Sequence, residues 1–479
     1  REEYQPLSFF KRAAQGGKAA GEGWEWPREG RQEMAGRALR YGEELGRRQP
    51  VNLGGTAGRA CPMRGAGFYF FVGGVFPPER SKHMEYQFSD RVKALKPSAI
   101  REILKNSSAP GIIPLSAGNP APDAFPYEAI RKVSAQRLED TPIEALQYGV
   151  TEGYAPLREH LLGYMEKKHQ VGTENDDILI TSGAQQVMDL LTKTLLNEGD
   201  TVLCEAPSFI GSLNTFRSYR AKLVGIPMEE DGMDMACLEK ALETEKNVKY
   251  LYTIPNFQNP SGITMSFEKR KKVYELCQKH GVMILEDNPY GDLRFAGEDV
   301  PSIKSLDTEG IVMYAGSFSK VVSPGMRVGY AIGPKAVLQK MVVCKQGEDV
   351  HSNMWAQIVC HRFMTGFDYE AHLQNLRGIY SRKSAVLLSA MEEHFRPLIT
   401  WSHFEGGLFA WCTLPEGTDM LGFVKRAMER KACVVPGTAF LTDETEPCRS
   451  FRINFSTPTD EQLREGVKIL GQTAREAVK

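Results

Sequence analysis

Lys320 and Arg327 stand seven residues apart in a short polar turn with Ser317 and Ser319, inside the stretch Ile311–Gly333, IVMYAGSFSKVVSPGMRVGYAIG. The apolar runs on either side, Ile311–Ala315 and Val328–Ile332, have the length and β-branching of buried strands. An ammonium between two such strands is costly unless it has a charge partner or a covalent one. Hydroxyls and a guanidinium converging on one spot make a phosphate cradle. A lysine whose pKa is lowered by desolvation and nearby cations is an amine able to form a Schiff base. S-x-S-K alone fits an ordinary strand-to-helix turn equally well; with Pro324, Gly325 and Arg327 the pattern becomes specific.

Other chemistry-bearing residues stand just past apolar runs. Asp287 ends Val282–Glu286, with Tyr290 three residues on, and a carboxylate at the exit of a buried strand is expensive unless it faces a cation. Ser182-Gly183-Ala184-Gln185-Gln186 follows Ile178–Thr181, and a small-residue turn opening a helix suits a phosphate, although such turns cap many helices with no ligand. Arg452 lies in Phe451-Arg452-Ile453-Asn454-Phe455, where alternation points its fork away from a face made by Phe451, Ile453 and Phe455; a solvated strand arginine is the alternative.

The elements that must position these groups alternate from Ile178 onward. Strand-like runs at Ile178–Thr181, Thr201–Glu205, Lys222–Ile226, Tyr250–Ile254, Val282–Glu286, Ile311–Ala315 and Val328–Ile332 are separated by helical patterns such as Ala184–Leu196 and Phe267–His280. This predicts an α/β fold with a mostly parallel seven-stranded sheet flanked by helices, whose ligands bind at the carboxyl ends of the strands. From about Gln357 the pattern becomes a smaller α+β domain: a helix through Tyr369–Phe395, then strands Gly407–Thr413, Ala432–Pro436 and Ser450–Phe455. The expected division is an N-terminal arm with part of the small domain at 84–126, a large domain at 127–356 and a small domain at 357–479.

The spaced motifs resemble class I/II aminotransferases of fold type I, which use pyridoxal phosphate. The subgroup most like this chain includes 2-aminoadipate and kynurenine aminotransferases. The resemblance implies that Lys320 carries the cofactor covalently and serves as base and then acid. It implies that Asp287 keeps the pyridine nitrogen protonated, and that Asn259 of Asn259-Pro260-Ser261-Gly262 joins Tyr290 at the phenolic oxygen. Phe209 would stack on the ring, where the family often has tyrosine. Ala184, Gln185, Ser317, Ser319 and Arg327 would hold the phosphate. Ile113–Pro126, whose four prolines forbid a helix, would lay backbone around Gly118 against the substrate, and Arg452 would grip its α-carboxylate. Tyr148, opening Y-x-x-x-x-G-x-x-x-L-R, would reach the phosphate of the neighbouring subunit in a homodimer; a buried tyrosine with a local partner is the alternative. Arg101 would pair with a distal substrate carboxylate, or stay a solvated surface residue. The expected substrates are an L-amino acid of 2-aminoadipate, branched-chain or aromatic type and a 2-keto acid such as 2-oxoglutarate.

Composition narrows the alternatives. The 479 residues are 42% hydrophobic and 25% charged with net charge −1, which leaves no footprint for nucleic acid or an acidic membrane surface. No apolar run approaches the roughly 20 residues of a membrane helix. Nine cysteines without a C-x-x-C pair or a tight His/Cys cluster point to a reduced, cytoplasmic protein with no metal site. Residues 1–83 are Gly- and Arg-rich and aperiodic, which fits upstream sequence ahead of a start at Met84 or a disordered extension. They do not resemble the winged helix-turn-helix that a MocR-type transcription regulator, with its aminotransferase-like domain, carries there. A β-lyase or decarboxylase on the same fold shares the motifs.

Overall fold

The computed structural model describes residues 86–93 and 109–477, all within the unit Glu85–Lys479. The expectations for residues 1–83, for Met84 and for Arg101 lie outside the described residues.

Eight strands form the large sheet: β1 (Asp176–Thr181), β2 (Thr201–Ala206), β3 (Lys222–Glu229), β4 (Gly232–Met233), β5 (Val248–Thr253), β6 (Met283–Asp287), β7 (Val312–Ser317) and β8 (Gly329–Pro334). Their spatial order is β1-β8-β7-β6-β5-β2-β3-β4. Neighbours from β7 through β3 are parallel, and β8 runs antiparallel to both β7 and β1. The seven expected strands are all present. The eighth, β4, pairs antiparallel with β3 through two residues, too few to show a period in the sequence.

Strands covered on both faces read as continuous apolar runs. Ile178, Ile180, Val202, Leu203, Leu251, Ile284, Leu285, Val312 and Met313 are all buried. The sheet also encloses one fully partnered set of charges: Lys304 Nζ lies 2.8 Å from both Asp176 at the start of β1 and Asp307 ahead of β7. Removing one member of such a buried set costs about 3–5 kcal/mol.

A second sheet, β11-β12-β10-β9, is antiparallel throughout: β9 (Thr400–Trp401), β10 (Phe409–Thr413), β11 (Val435–Pro436) and β12 (Ser450–Asn454). Helices Tyr369–His394 and Asp460–Ala477 pack against each other, and Phe395, just past the first, meets Trp401 and Phe451 of this sheet. The second helix starts with a reciprocal capping box, Thr459 Oγ1 accepting from Gln462 N (3.2 Å) and Gln462 Oε1 from Thr459 N (2.9 Å). It buries the stripe Leu463, Val467, Leu470 and Ala474. Ile113 bridges to Ala432, and Leu115 O accepts from Asn454 N (2.7 Å), so the proline-rich stretch lies along this sheet. Among the described residues no helix is long and apolar enough to cross a membrane.

Candidate active site

β7 ends at Ser317, and the chain returns as β8 from Gly329, so the turn between them sits at the carboxyl end of the parallel strands. β6 delivers Asp287 to the same end, and β5 delivers the loop carrying Asn259. A cavity of about 340 Å³ opens there, lined by Gly118, Ala184, Gln185, Phe209, Asn259 and Asp287 and, further round, by Tyr290, Ser317, Ser319, Lys320, Arg327 and Arg452.

Lys320 Nζ donates to Gly118 O at 2.6 Å. Burial, and then the Arg452 and Arg327 guanidiniums, bring its pKa down to about 8. Asp287 is buried, and its Oδ2 accepts from the Tyr252 hydroxyl at 2.8 Å. Its Oδ1 has no hydrogen-bond partner among the described residues. Burial pushes this carboxyl up to about 7; the Tyr252 bond opposes the rise and Glu205 adds to it. Tyr290 is buried edge-on to Phe409, and burial raises its pKa while Arg452 and the Asn259 amide lower it.

Arg327 has φ +53° and sends Nη2 to Ser182 O at 3.1 Å. A Cβ at Gly183, whose φ is +79°, would fall 2.3 Å from that Nη2, so only glycine lets the guanidinium lie over the first turn of helix Ala184–Leu195. The first-turn amides of a helix lack internal acceptors, and here they adjoin Ser317, Ser319 and Arg327. Gln185 contributes only backbone on this side, because its Nε2 is bound to Gly211 O (3.1 Å) and Thr215 Oγ1 (2.7 Å). Phe209 precedes helix Ile210–Ser218 and is half-buried at the cavity wall.

Arg452 is not the solvated strand arginine of the alternative reading. All five residues of β12 are buried, because both faces of the strand are covered. The fork is therefore enclosed in the cavity wall: Nη1 donates to Asn259 Oδ1 (2.8 Å) and Nη2 to Ser116 O (2.9 Å). Burial lowers its pKa to about 10. Tyr148 stands apart from the cavity. It is 81% exposed, with its ring edge-on to His351, in an apolar surface that includes Ile143, Leu146 and Val150.

Several supporting residues escape sequence reasoning. Ser212 donates to Tyr252, which donates to Asp287. Glu205 accepts from Thr253, Ile254 N and Gln258, and so pins the start of the loop that presents Asn259. Lys345, fully buried, joins Asp349, Gln186 and Ser352 beneath the Ser182 turn. These groups sit in strands and helices whose apolar pattern marks them only as core; the one sequence clue is the buried acid of TVLCEA.

The donor set fits pyridoxal phosphate. A near-neutral amine suits its aldehyde, and a buried carboxyl with an unpaired oxygen suits its ring nitrogen. A guanidinium, two hydroxyls and helix amides suit its phosphate.

Comparison with known proteins agrees. Residues 110–470 match the family described as aminotransferase class I and II. The chain is 37% identical over 399 residues to aromatic-amino-acid aminotransferase 1 of Thermococcus litoralis, covering 82% of this chain and 95% of that one. The crystal structure of Pyrococcus horikoshii kynurenine aminotransferase, solved with PMP, superposes with TM-score 0.80 at 37% identity over 82% of this chain and 98% of its own. That of the α-aminoadipate aminotransferase from Thermus thermophilus, complexed with N-(5'-phosphopyridoxyl)-L-leucine, gives TM-score 0.75 at 34% identity over 82% and 98%. The chain belongs to the class I and II aminotransferases and is a transaminase that depends on pyridoxal phosphate.

Proposed function

We propose that the protein moves the amino group of an L-amino acid of 2-aminoadipate, branched-chain or aromatic type to a 2-keto acid such as 2-oxoglutarate, in the cytoplasm and as a homodimer. The observation that carries the reading is one cavity holding the depressed amine of Lys320, the unpaired Oδ1 of Asp287 and the fork of Arg452.

When bound, the cofactor supplies a carbonyl for the incoming amine and a ring that withdraws electrons from the donor's Cα. The roles of the protein's own groups follow from their chemistry. Asp287, held by Tyr252, would face the ring nitrogen and keep its proton. Asn259 and Tyr290 would bind the phenolic oxygen, Phe209 would cover one face of the ring, and Ala184, Gln185, Ser317, Ser319 and Arg327 would hold the phosphate. Arg452 would exchange Asn259 Oδ1 and Ser116 O for the two oxygens of the α-carboxylate, fixing the donor with its Cα–H toward Lys320. Lys320 Nζ would take that proton and return it at the cofactor's C4′ carbon, acting first as base and then as acid.

Gly118 backbone would border the substrate, and Arg101 would meet a distal carboxylate. Tyr148, solvent-facing within its own chain, would complete the phosphate site of a second copy. A panel of amino donors tested with and without 2-oxoglutarate checks the reading: keto acid must form over many turnovers only with the acceptor present, and without it must stop at one equivalent per site. Turnover without an acceptor would point instead to elimination or decarboxylation. Loss of acidic donors alone in Arg101→Ala would place that arginine at a distal carboxylate.

A further inference from the structure

We propose that Phe440, and Arg217 acting through it, are positioning residues that set how firmly Arg452 holds a substrate carboxylate. The proposal rests on the reading of Arg452 given above. The guanidinium carbon of Arg452 lies 4.1 Å from the centroid of the Phe409 ring and 5.1 Å from that of Phe440. Its Nη atoms are fixed by Asn259 and Ser116. Among the described residues no carboxylate pairs with it, and Tyr290 is the one neighbour that raises its pKa against burial. Two ring faces thus add to the neutral carbonyl oxygens in compensating a charge taken out of water. Neither neutral oxygens nor ring faces cancel the charge, which remains for an anionic substrate.

Phe440 ends the short turn Gly437–Phe440, is 1% exposed and meets Trp411 edge-on at 5.7 Å. With Val435 and Ala439 it forms a small apolar cluster closed by Ile210, a cavity-lining residue next to Phe209. Its carbonyl accepts from Ser208 N at 2.8 Å. The chain just beyond is fastened by Arg217, whose Nη2 donates to Leu441 O (2.8 Å) and Thr442 O (2.9 Å) while Nη1 reaches Glu444 (3.1 Å). Arg217 lies seven residues along the helix from Ile210, about 10 Å of axial rise. It can act on the carboxylate grip only by holding the segment that carries the Phe440 ring.

The test uses the cofactor-loaded protein and 3-phenylpropanoate, a monocarboxylate without an amine, as competitive inhibitor. Phe440→Leu keeps the bulk and removes the ring face; Arg217→Gln removes the fastening at a partly exposed position and carries the test alone if the first variant does not fold. The expected result is an inhibition constant raised roughly tenfold in Phe440→Leu and a few-fold in Arg217→Gln, with KM for the amino donor rising in step. The dissociation constant of the cofactor stays within about twofold. An unchanged inhibition constant, or a parallel loss of cofactor affinity, overturns the proposal. Inhibition that survives Arg452→Ala shows that the carboxylate is held elsewhere, which removes the reading of Arg452 itself and this inference with it.

Discussion

Replacing Asp287 with asparagine should stabilise the cofactor-free protein while crippling the loaded one. The carboxyl is buried with one oxygen unpaired among the described residues, and its pKa rises from 3.8 to about 7. A rise of about three units corresponds to about 4 kcal/mol. Because the folded-state value lies above the unfolded one, the cost is absent well below pH 4, where the acid is protonated in both states. It grows as pH rises and is complete above about pH 7. Asparagine keeps the acceptor for Tyr252 and introduces an unpaired buried N–H worth about 1 kcal/mol. The cofactor-free variant should therefore exceed the wild type by about 3 kcal/mol at pH 8, and by less than about 1 kcal/mol at pH 5, in urea unfolding. Loaded with cofactor, the same variant should lose at least about 10²-fold of activity on the role proposed for Asp287, since a neutral amide would not hold the ring nitrogen's proton. Equal stability of the two cofactor-free proteins at pH 8, or a gain that ignores pH, would refute the reasoning.

Lys320→Ala should abolish the visible absorbance of the lysine-bound cofactor and reduce turnover at least about 10³-fold, measured with any active donor. The rate at which cofactor-free protein takes up pyridoxal phosphate should climb as pH passes about 8, where Lys320 loses its proton, and flatten above it; stopped-flow absorbance reads this directly. On the proposed homodimer with shared sites, mixing inactive Lys320→Ala with impaired Tyr148→Ala under exchange conditions should restore activity, because one site of the hybrid would then hold Lys320 from one copy and Tyr148 from the other. No recovery in verified hybrids would count against a shared site.

What the sequence makes legible here is whatever sits at the end of a continuous apolar run. Asp287 ends β6, and Lys320, Asn259 and the Ser182–Gln186 turn follow β7, β5 and β1, so locating the strands locates these residues. Tyr252 and Glu205 escape because they lie inside strands, where a tyrosine reads as packing and nothing in the spacing shows that β5 delivers its hydroxyl to the aspartate at the end of β6. The surroundings of Arg452 escape for another reason. Phe409 precedes it on a paired strand and Phe440 on a separate turn, and only tertiary folding stacks both rings on one guanidinium. Alternation marks Phe451, Ile453 and Phe455 as apolar-facing and turns the arginine away from them, yet it leaves a solvated arginine open, because it does not show that the second face of the strand is covered too.

The resting bonds of Arg452 bear on what the protein would refuse. Asn259 Oδ1 and Ser116 O are neutral acceptors already in place. On the assignment proposed here, an amino-acid amide or ester brings another neutral oxygen, so swapping partners yields no electrostatic advantage. A carboxylate brings a full negative charge to a guanidinium that lacks one. Selectivity for free acids over their capped forms would then rest on charge, because neutral oxygens already satisfy the fork, without any need for steric exclusion.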